Sequence, residues 1–303
     1  MLSSLIFFNL KNYYSLIQVS GDDANSFLQG QLTNDINLAS ENKLILSGFC
    51  NPKGRLLAIF QIAKINNIFY LICPKTIAET VCKKLSMYIL RSKVKIDINP
   101  ETIALHGFII SSQQLLTDFF KNFPNTNFAA QQDNMNLLIK LPGYPERYMV
   151  ICSGQTSSDM MIKFKENSGK INEWKLHDIE AGIPSIYPNT QEVFIPQSLN
   201  LDLLQAVNFK KGCYTGQEII ARTHYLGKVK RRMYRAAIKL SSLINIGDDL
   251  YVNDLIVGKV IDFAKEKNSF KCLIELIVEE KDKQLTLNGS NVNISGLAQE
   301  NPN

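Results

Sequence analysis

One cysteine has neighbours that could make it chemically reactive. Cys213 lies between Gly212 and Gly216, shortly after Lys210 and Lys211. Nearby positive charge stabilises the thiolate, which is the form of cysteine that acts as a nucleophile or a metal ligand. The alternative interpretation is a small buried thiol in a tight turn, the commoner role of a free cysteine. The sequence therefore predicts a functional thiol at Cys213, with packing as the alternative.

A helix is expected to begin directly after this cysteine. Residues 215–218, Thr-Gly-Gln-Glu, have the pattern of a capping box, in which hydroxyl and carboxylate each bond a free backbone amide. We expect the helix to start near Gly216 and to continue through Ala221. Cys213 then lies just ahead of a helix N-terminus, where the helix dipole favours negative charge. This position adds to the prediction of a readily ionised thiol.

Positive charge is concentrated in the same stretch. Residues 210–235 contain eight lysines and arginines and one acid, a net charge of +7, whereas the whole chain carries +5. The sequence K-V-K-R-R-M of residues 228–233 would place cations on both faces of a strand, which a simple amphipathic strand would not do. An anionic ligand or partner is the favoured interpretation, and a solvated face is the alternative.

Composition limits the class of protein. A chain of 303 residues with 45% hydrophobic residues can bury a large core in two or three domains. Its six cysteines show no C-x-x-C pair and no zinc-ligand spacing, which is typical of a reducing compartment. The first residues lack the charge order of a secretory signal, and no apolar run approaches the roughly 20 residues that span a bilayer. We expect a cytoplasmic protein without membrane contact.

The first half of the chain contains one pattern twice. A strand hairpin followed by a helix is predicted around residues 70–73, and again about 79 residues later around residues 148–152. A second capping box at residues 76–79 and a helix over residues 112–122 belong to these units. The repetition predicts two α+β lobes related by a pseudo-two-fold axis, and ligand sites often lie where such lobes meet.

The C-terminal part has a different pattern. Short strands separated by turns are predicted over residues 233–240, 250–252, 255–263 and 270–278, which is typical of a small β-barrel or sandwich. The predicted domains are a first lobe over residues 1–100, a second lobe with the cysteine segment over residues 101–227, and the barrel over residues 228–303.

Residues 211–218, K-G-C-Y-T-G-Q-E, resemble the signature of the YgfZ-type folate-binding proteins. Four further segments agree with that family: residues 27–35, 52–55, 179–184 and 194–197. The family is related to the glycine-cleavage aminomethyltransferase and to a mitochondrial iron–sulfur assembly factor. The resemblance implies two interlocked α+β lobes, a C-terminal β-barrel and tetrahydrofolate binding. It also implies a role in maintaining iron–sulfur enzymes, including enzymes that thiolate tRNA.

The resemblance also suggests residues for the folate. A carboxylate can accept the donor edge of a pterin and an aromatic ring can stack on its face, so Glu180 and Trp174 are candidates. Trp174 is otherwise an ordinary core residue, and Glu180 otherwise pairs locally. Tyr14 is a weaker aromatic candidate. Lys211 and Arg232 suit the anionic glutamate tail of the folate.

We therefore predict a folate-dependent accessory factor for iron–sulfur cluster assembly or repair, with iron–sulfur enzymes as clients and indirect contact with tRNA. A one-carbon transferase is the first alternative. It is disfavoured because Ala58 and Ile59 stand where the aminomethyltransferase stretch ends in an aspartate. Direct tRNA binding through residues 228–235 is the second, although RNA recognition usually adds exposed aromatic rings, and Tyr225 and Tyr234 are the nearby ones.

Overall fold

The computed structural model describes residues 4–239 and 243–299. In this part of the chain the α-helices are α1 (Ala24–Gln31), α2 (Lys75–Ser86), α3 (Gly154–Lys163), α4 (Ile171–Glu180) and α5 (Gln217–Tyr225). The strands are β1 (Leu5–Asn9), β2 (Tyr14–Ser20), β3 (Ile45–Cys50), β4 (Leu56–Ile65), β5 (Ile68–Pro74), β6 (Lys95–Ile98), β7 (Ile103–Ile110), β8 (Ala130–Asp133), β9 (Asn136–Leu141), β10 (Glu146–Ser153), β11 (Arg231–Lys239), β12 (Asp249–Val252), β13 (Leu255–Glu266), β14 (Ser269–Ile277), β15 (Leu285–Leu287) and β16 (Ser290–Leu297). None of the helices in these described stretches is both long and apolar enough to cross a membrane.

Two five-stranded sheets share one strand order. The first runs β3-β4-β5-β2-β6, and the second runs β8-β9-β10-β7-β1. The two orders correspond strand by strand. The last strands differ in origin, because β6 comes after the other strands of its sheet in the sequence, whereas β1 comes from the start of the chain and pairs antiparallel with β7. The start of the chain therefore completes the second sheet. This arrangement confirms the predicted pair of interlocked α+β lobes.

Local sequence accounts for the repeated hairpin-and-helix unit. Asn66 and Asn67 join β4 to β5 with positive φ angles of 48° and 64°, a conformation that asparagine tolerates in tight hairpins. In the helix after β5, Ile77, Val81 and Leu85 recur every four residues and are buried. The second lobe packs its own apolar cluster with Phe108, Tyr148, Cys152 and Met160, among others.

The C-terminal strands close into a barrel with the order β11-β14-β13-β12-β15-β16. Its interior is a continuous apolar cluster that includes Ala236 and Ile238 of β11 and Cys272 and Ile274 of β14. Alternating inward residues on β11 produce this burial, as period-two patterning predicts. The predicted barrel is confirmed, and closure leaves its strands without the free edges of an open sheet.

Two local predictions were wrong. Residues 112–122 hold a short 3₁₀ helix, Gln113–Leu116, followed by turns, and not a continuous helix. The segment buries Leu116 and Phe120 without forming further helical turns. The capping box at residues 76–79 does not form, because α2 already begins at Lys75. Pro74 occupies the N-cap position there, with no side-chain cap.

Packing divides the described residues into two compact units. The first comprises residues 4–30, 35–46 and 60–174 and contains most of the two sheets. The second comprises residues 31–34, 47–59, 175–239 and 243–299 and contains α5 and the barrel. The predicted domain boundaries near residues 100 and 227 stay a prediction.

Candidate functional site around Cys213

The turn that carries Cys213 ends in a glycine and not in a capping threonine. Helix α5 has Gly216 as its N-cap, with a φ of +82° and no side-chain cap. Glu218 is then the second helical residue, whereas a capping box needs the acid at the third. Thr215 instead donates its hydroxyl to Gln31 Oε1 at 3.2 Å. The predicted capping box was therefore wrong by one residue, although the helix begins where it was expected.

Close backbone packing explains the glycine. A Cβ on Gly216 would lie 2.5 Å from the Asn51 carbonyl oxygen and 3.0 Å from the Cα of Gly54. Gly54 also has a positive φ of 68°, and a Cβ there would lie 3.1 Å from the Cβ of Ile219. Both positions therefore combine a left-handed conformation with tight contact. The Pro52–Arg55 turn and the start of α5, two segments of the family resemblance, pack directly together.

Lys211 fixes the other side of the turn. Its Nζ donates to the carbonyl oxygens of Leu32 at 2.7 Å and Asn34 at 2.9 Å. The same ammonium lies 5.1 Å from the ring centroid of Tyr214, close enough for a cation–π contact. Burial raises the pKa of Tyr214, so its hydroxyl stays protonated. Two of the three Lys211 donors are therefore used inside the protein.

The segment that receives Lys211 is itself anchored. Thr33 Oγ1 donates to the Ala206 carbonyl at 2.7 Å and accepts the Gly48 amide at 2.8 Å. The Asn208 amide donates to the Thr33 carbonyl at 2.9 Å. Residues 31–34 are therefore hydrogen-bonded to residues 206–215 at several points. The turn that holds Cys213 is positioned by backbone contacts on both sides.

Cys213 differs from the other cysteines in its exposure. It is open to solvent, whereas Cys50, Cys73, Cys82, Cys152 and Cys272 are buried. Burial raises the pKa of Cys82, Cys152 and Cys272 to about 12, and it raises those of Cys50 and Cys73 as well. These five thiols therefore remain neutral and enclosed at physiological pH. Cys213 is the thiol that a reagent, metal or partner can reach.

Two further predicted folate contacts, Arg232 and Glu180, lie in the same compact unit as Lys211. The Arg232 guanidinium binds both carboxylate oxygens of Asp202, at 2.7 and 3.0 Å, and also donates to the Gln197 carbonyl. The Glu180 carboxylate is 46% exposed and lies 3.9 Å from His177 Nδ1. Arg232 is therefore committed to a bidentate internal pair, whereas much of the Glu180 carboxylate faces solvent.

The aromatic candidates belong to the first compact unit. Trp174 is fully buried, with the Arg147 guanidinium 4.8 Å from its ring and the Phe8 ring centroid at 5.4 Å. Its indole fills the space over Gly107, where a Cβ would approach to 2.4 Å. Tyr14 is buried at the start of β2. These contacts agree with a core tryptophan, and a folate-stacking role for Trp174 stays a prediction.

A cavity lies beside the basic run of residues 228–235, in the second unit. It has a volume of about 420 Å³, and three cations predicted from the sequence, Lys228, Lys230 and Arg231, line it. Sequence reasoning missed Arg55, Lys259 and Glu275, which also line it. Arg55 was visible as part of the Pro52–Arg55 turn. Lys259 and Glu275 lie on barrel strands, where an isolated charge gives no signal of its neighbours.

Known proteins resemble both the fold and the sequence. No protein-family profile matches the chain. The aminomethyltransferase T of the glycine cleavage system from Bartonella henselae superposes with a TM-score of 0.78, covering 99% of this chain and 87% of that chain at 14% identity. The chain therefore has the aminomethyltransferase fold.

Three curated relatives carry the name tRNA-modifying protein YgfZ. The protein from Hamiltonella defensa is 31% identical, covering 80% of this chain and 73% of the relative, and that from Photorhabdus laumondii is 32% identical, covering 78% and 72%. The Colwellia psychrerythraea protein is 33% identical and covers 73% and 68%. The chain belongs to the YgfZ family, which confirms the resemblance found in the sequence.

Proposed function

We propose that this chain is a tetrahydrofolate-binding accessory factor for iron–sulfur cluster assembly or repair, and that it supports iron–sulfur enzymes that modify tRNA. The observation that carries the proposal is the exposure of Cys213 on a turn fixed from both sides. The name of the relatives, tRNA-modifying protein, agrees with this role. In the proposal Cys213 is the functional thiol and tRNA itself is contacted indirectly.

In this proposal the turn presents one thiol to a client protein. A thiolate can bind iron, exchange with a disulfide or be oxidised. Gly212, whose added Cβ would meet no heavy atom within 4 Å, leaves the side of the turn next to Cys213 open. Lys211 and Gly216 hold the backbone on either side of the cysteine. The thiol therefore keeps a fixed position while a client protein can approach it.

The residues present fit a folate in part. Tetrahydrofolate, when bound, supplies a reduced pterin that carries one-carbon units. The half-exposed Glu180 carboxylate suits the donor edge of the pterin. Lys211 and Arg232 are held by internal hydrogen bonds, so in the proposal they shape the binding surface and contribute charge to the glutamate tail at longer range. Trp174 and Tyr14 are proposed as aromatic contacts.

Aminomethyl transfer is a weaker candidate function. Proton transfer at a folate nitrogen needs an acid or base within hydrogen-bond reach. Ala58 and Ile59, which stand where the enzyme relatives are expected to have a carboxylate, are buried apolar residues of β4. A positioned acid at this point of the strand is therefore missing. The accessory role does not require one.

The role of the thiol can be tested by complementation. Cys213→Ala should express and fold like the wild type, because the side chain is exposed, and should retain folate binding. In cells that lack the wild-type gene it should fail to restore the activity of iron–sulfur enzymes that thiolate tRNA, measured as the thiolated nucleoside content of tRNA. Full restoration by Cys213→Ala would remove the thiol from the proposal.

Folate binding can be measured through the single tryptophan. Because Trp174 is the one tryptophan in the sequence, a tetrahydrofolate titration that changes the fluorescence reports on its surroundings. Glu180→Gln should weaken binding about tenfold or more, since a hydrogen bond to a charged group contributes roughly 1.5–3 kcal/mol. Glu279→Gln, an exposed acid elsewhere in the second unit, is the matched control. Equal affinities of both variants and wild type would exclude Glu180 from the site.

A further inference from the structure

The cavity beside the basic run is built unlike a solvated charged face. Its lining combines lysine and arginine side chains with apolar groups from Ile195, Val229 and Ile256. Its volume of about 420 Å³ lies within the range of roughly 300–1,000 Å³ that is common for small-molecule sites. We propose that this cavity binds a nucleotide, with its phosphate on Lys228 and Lys230. The nucleotide is either free or one unit of an RNA strand. This inference does not depend on the folate or thiol proposals, and an RNA ligand here would replace the indirect contact with tRNA that the proposed function assumes.

The charges of the lining are not equivalent. Arg231 is paired with Glu275 at 2.8 Å and also donates to the Val257 carbonyl, and Lys259 is paired with Asp249. These cations are therefore largely neutralised by neighbouring groups.

Two other lysines of the lining differ from these cations in their surroundings. Lys228 and Lys230 are exposed, and within residues 4–239 and 243–299 their ammonium groups make no ion pair and no hydrogen bond. Two such lysines in the lining of one cavity suit the two charges of a phosphate monoester. A single carboxylate would use only one of them.

The apolar wall suits a flat ring. Ile256 is 54% exposed on β13, and Val229 and Ile195 are other apolar residues of the lining. An exposed isoleucine beside a charged cavity is covered when a planar base packs on it. The combination of an apolar wall with two free cations therefore matches a phosphorylated nucleoside better than inorganic phosphate.

A group of aromatic side chains follows the cavity residue Thr223 in the sequence of α5. Thr223 lines the cavity, and the two residues after it, His224 and Tyr225, are exposed. The His224 ring stacks on Phe209 with centroids 3.7 Å apart and planes 10° apart, and Tyr225 is 64% exposed. Exposed rings beside a basic groove are the usual platform for unpaired nucleic-acid bases. They favour an RNA strand as the source of the nucleotide.

The test uses the full chain, with adenosine monophosphate, adenosine and a single-stranded RNA oligomer as calorimetric titrants. Adenosine monophosphate should bind, and adenosine should bind much more weakly. Lys228→Gln combined with Lys230→Gln should weaken binding of the monophosphate and the RNA about tenfold or more, because two charge-assisted contacts are lost. Lys239→Gln combined with Lys281→Gln, both exposed and outside the cavity, should leave both affinities unchanged.

A third variant separates the two sources of the nucleotide. Tyr225→Ala should weaken RNA binding several-fold and leave the affinity for adenosine monophosphate unchanged if the strand continues over the aromatic rings. Monophosphate binding without RNA binding would assign the cavity to free nucleotides. The proposal is overturned if neither adenosine monophosphate nor the RNA binds, or if the lysine double variant binds these two ligands normally. It is also overturned if a folate polyglutamate occupies the cavity and the monophosphate does not displace it.

Discussion

The cysteines of the two sheets and Cys213, in the turn before α5, have their positions fixed in opposite ways. Cys73 on β5 and Cys152 on β10 occupy corresponding strands of the two sheets and are enclosed by apolar neighbours. Cys213 is exposed, and its position is fixed by its neighbours' backbone, through Gly216 and Lys211. Burial makes a thiol inert, whereas a braced turn gives it a fixed position without enclosing it. The comparison shows how one chain can keep five cysteines unreactive and present a sixth.

The largest expected effect is a difference in alkylation rate. In native conditions iodoacetamide should modify Cys213 about a thousandfold faster than Cys152 or Cys272, because a core thiol reacts only after an opening that costs several kcal/mol. Peptide mass spectrometry after short exposures measures the rates of all six sites. Cys213→Ser should abolish the fast phase. Comparable labelling of Cys152 at early times would mean that the sheet does not protect its thiols.

A buried histidine tests how well the lobe core excludes charge. His106 on β7 is 1% exposed, and its Nε2 lies 2.8 Å from Ser157 Oγ. Burial is the main cause that lowers its pKa from 6.5 to about 4. The unfolded chain therefore takes up this proton near pH 6.5 and the folded chain only near pH 4. The stabilising contribution is complete above pH 6.5 and is lost as the pH falls toward 4.

The loss should amount to about 2.5 kcal/mol of unfolding free energy at pH 4.5. Urea unfolding of the wild type at pH 7.5 and pH 4.5 measures the decrease, to which other groups also contribute. His106→Asn serves as the reference, because it lacks this titration and should lose less stability over the same interval. Identical pH dependence for the two proteins would show that His106 has the same pKa in the folded and unfolded chains, so the lobe core would not exclude its charge.

The next effect concerns the turn itself. Gly216→Ala places a Cβ 2.5 Å from the Asn51 carbonyl oxygen at a φ of +82°, and should cost about 2–3 kcal/mol of unfolding free energy. Gly212→Ala, four residues earlier, meets no atom within 4 Å and should change stability by less than about 0.5 kcal/mol. Thermal and urea unfolding compare the pair. Equal stabilities would mean that the turn yields around the new methyl group.

Local patterns predicted the parts of this fold that depend on neighbouring residues. The hairpins, α2 and the barrel strands follow from apolar periodicity and from turn residues such as Asn66 and Asn67. The entry of β1 into the second sheet could not be predicted, because its partner β7 lies about a hundred residues further along the chain. The same limit applies to the start of α5, since Gly216 is set by contact with Asn51 and Gly54.

The site shows the same division. A functional thiol at Cys213 was predicted from its own segment and stays a prediction, and the structure shows that this side chain is exposed. The internal roles of Lys211 and Arg232 were not predicted, because their partners, the carbonyls of residues 32 and 34 and the carboxylate of Asp202, are distant in the sequence. Charge counting identified the basic run but could not show which of its cations remain unpaired.

The smallest expected effect separates two adjacent lysines. Lys211→Met keeps the length of the side chain and removes the donors to the carbonyl oxygens of Leu32 and Asn34, leaving both without that partner. The unfolding free energy should fall by about 1–2 kcal/mol, the usual cost of an unsatisfied polar group that is partly buried. Lys210→Met changes an exposed side chain without a described partner and should be neutral.

The same pair of variants tests whether Lys211 fixes the position of the Cys213 thiol. If Lys211 holds the turn, its loss should also broaden the range of positions of Cys213, so amide hydrogen exchange over residues 208–216 should become faster in Lys211→Met and not in Lys210→Met. Because the thiol is exposed in both variants, its alkylation should stay fast in both. A turn whose exchange is unchanged by Lys211→Met would be held by the Gly216 contact alone, and the position of Cys213 would then depend on one side of the turn.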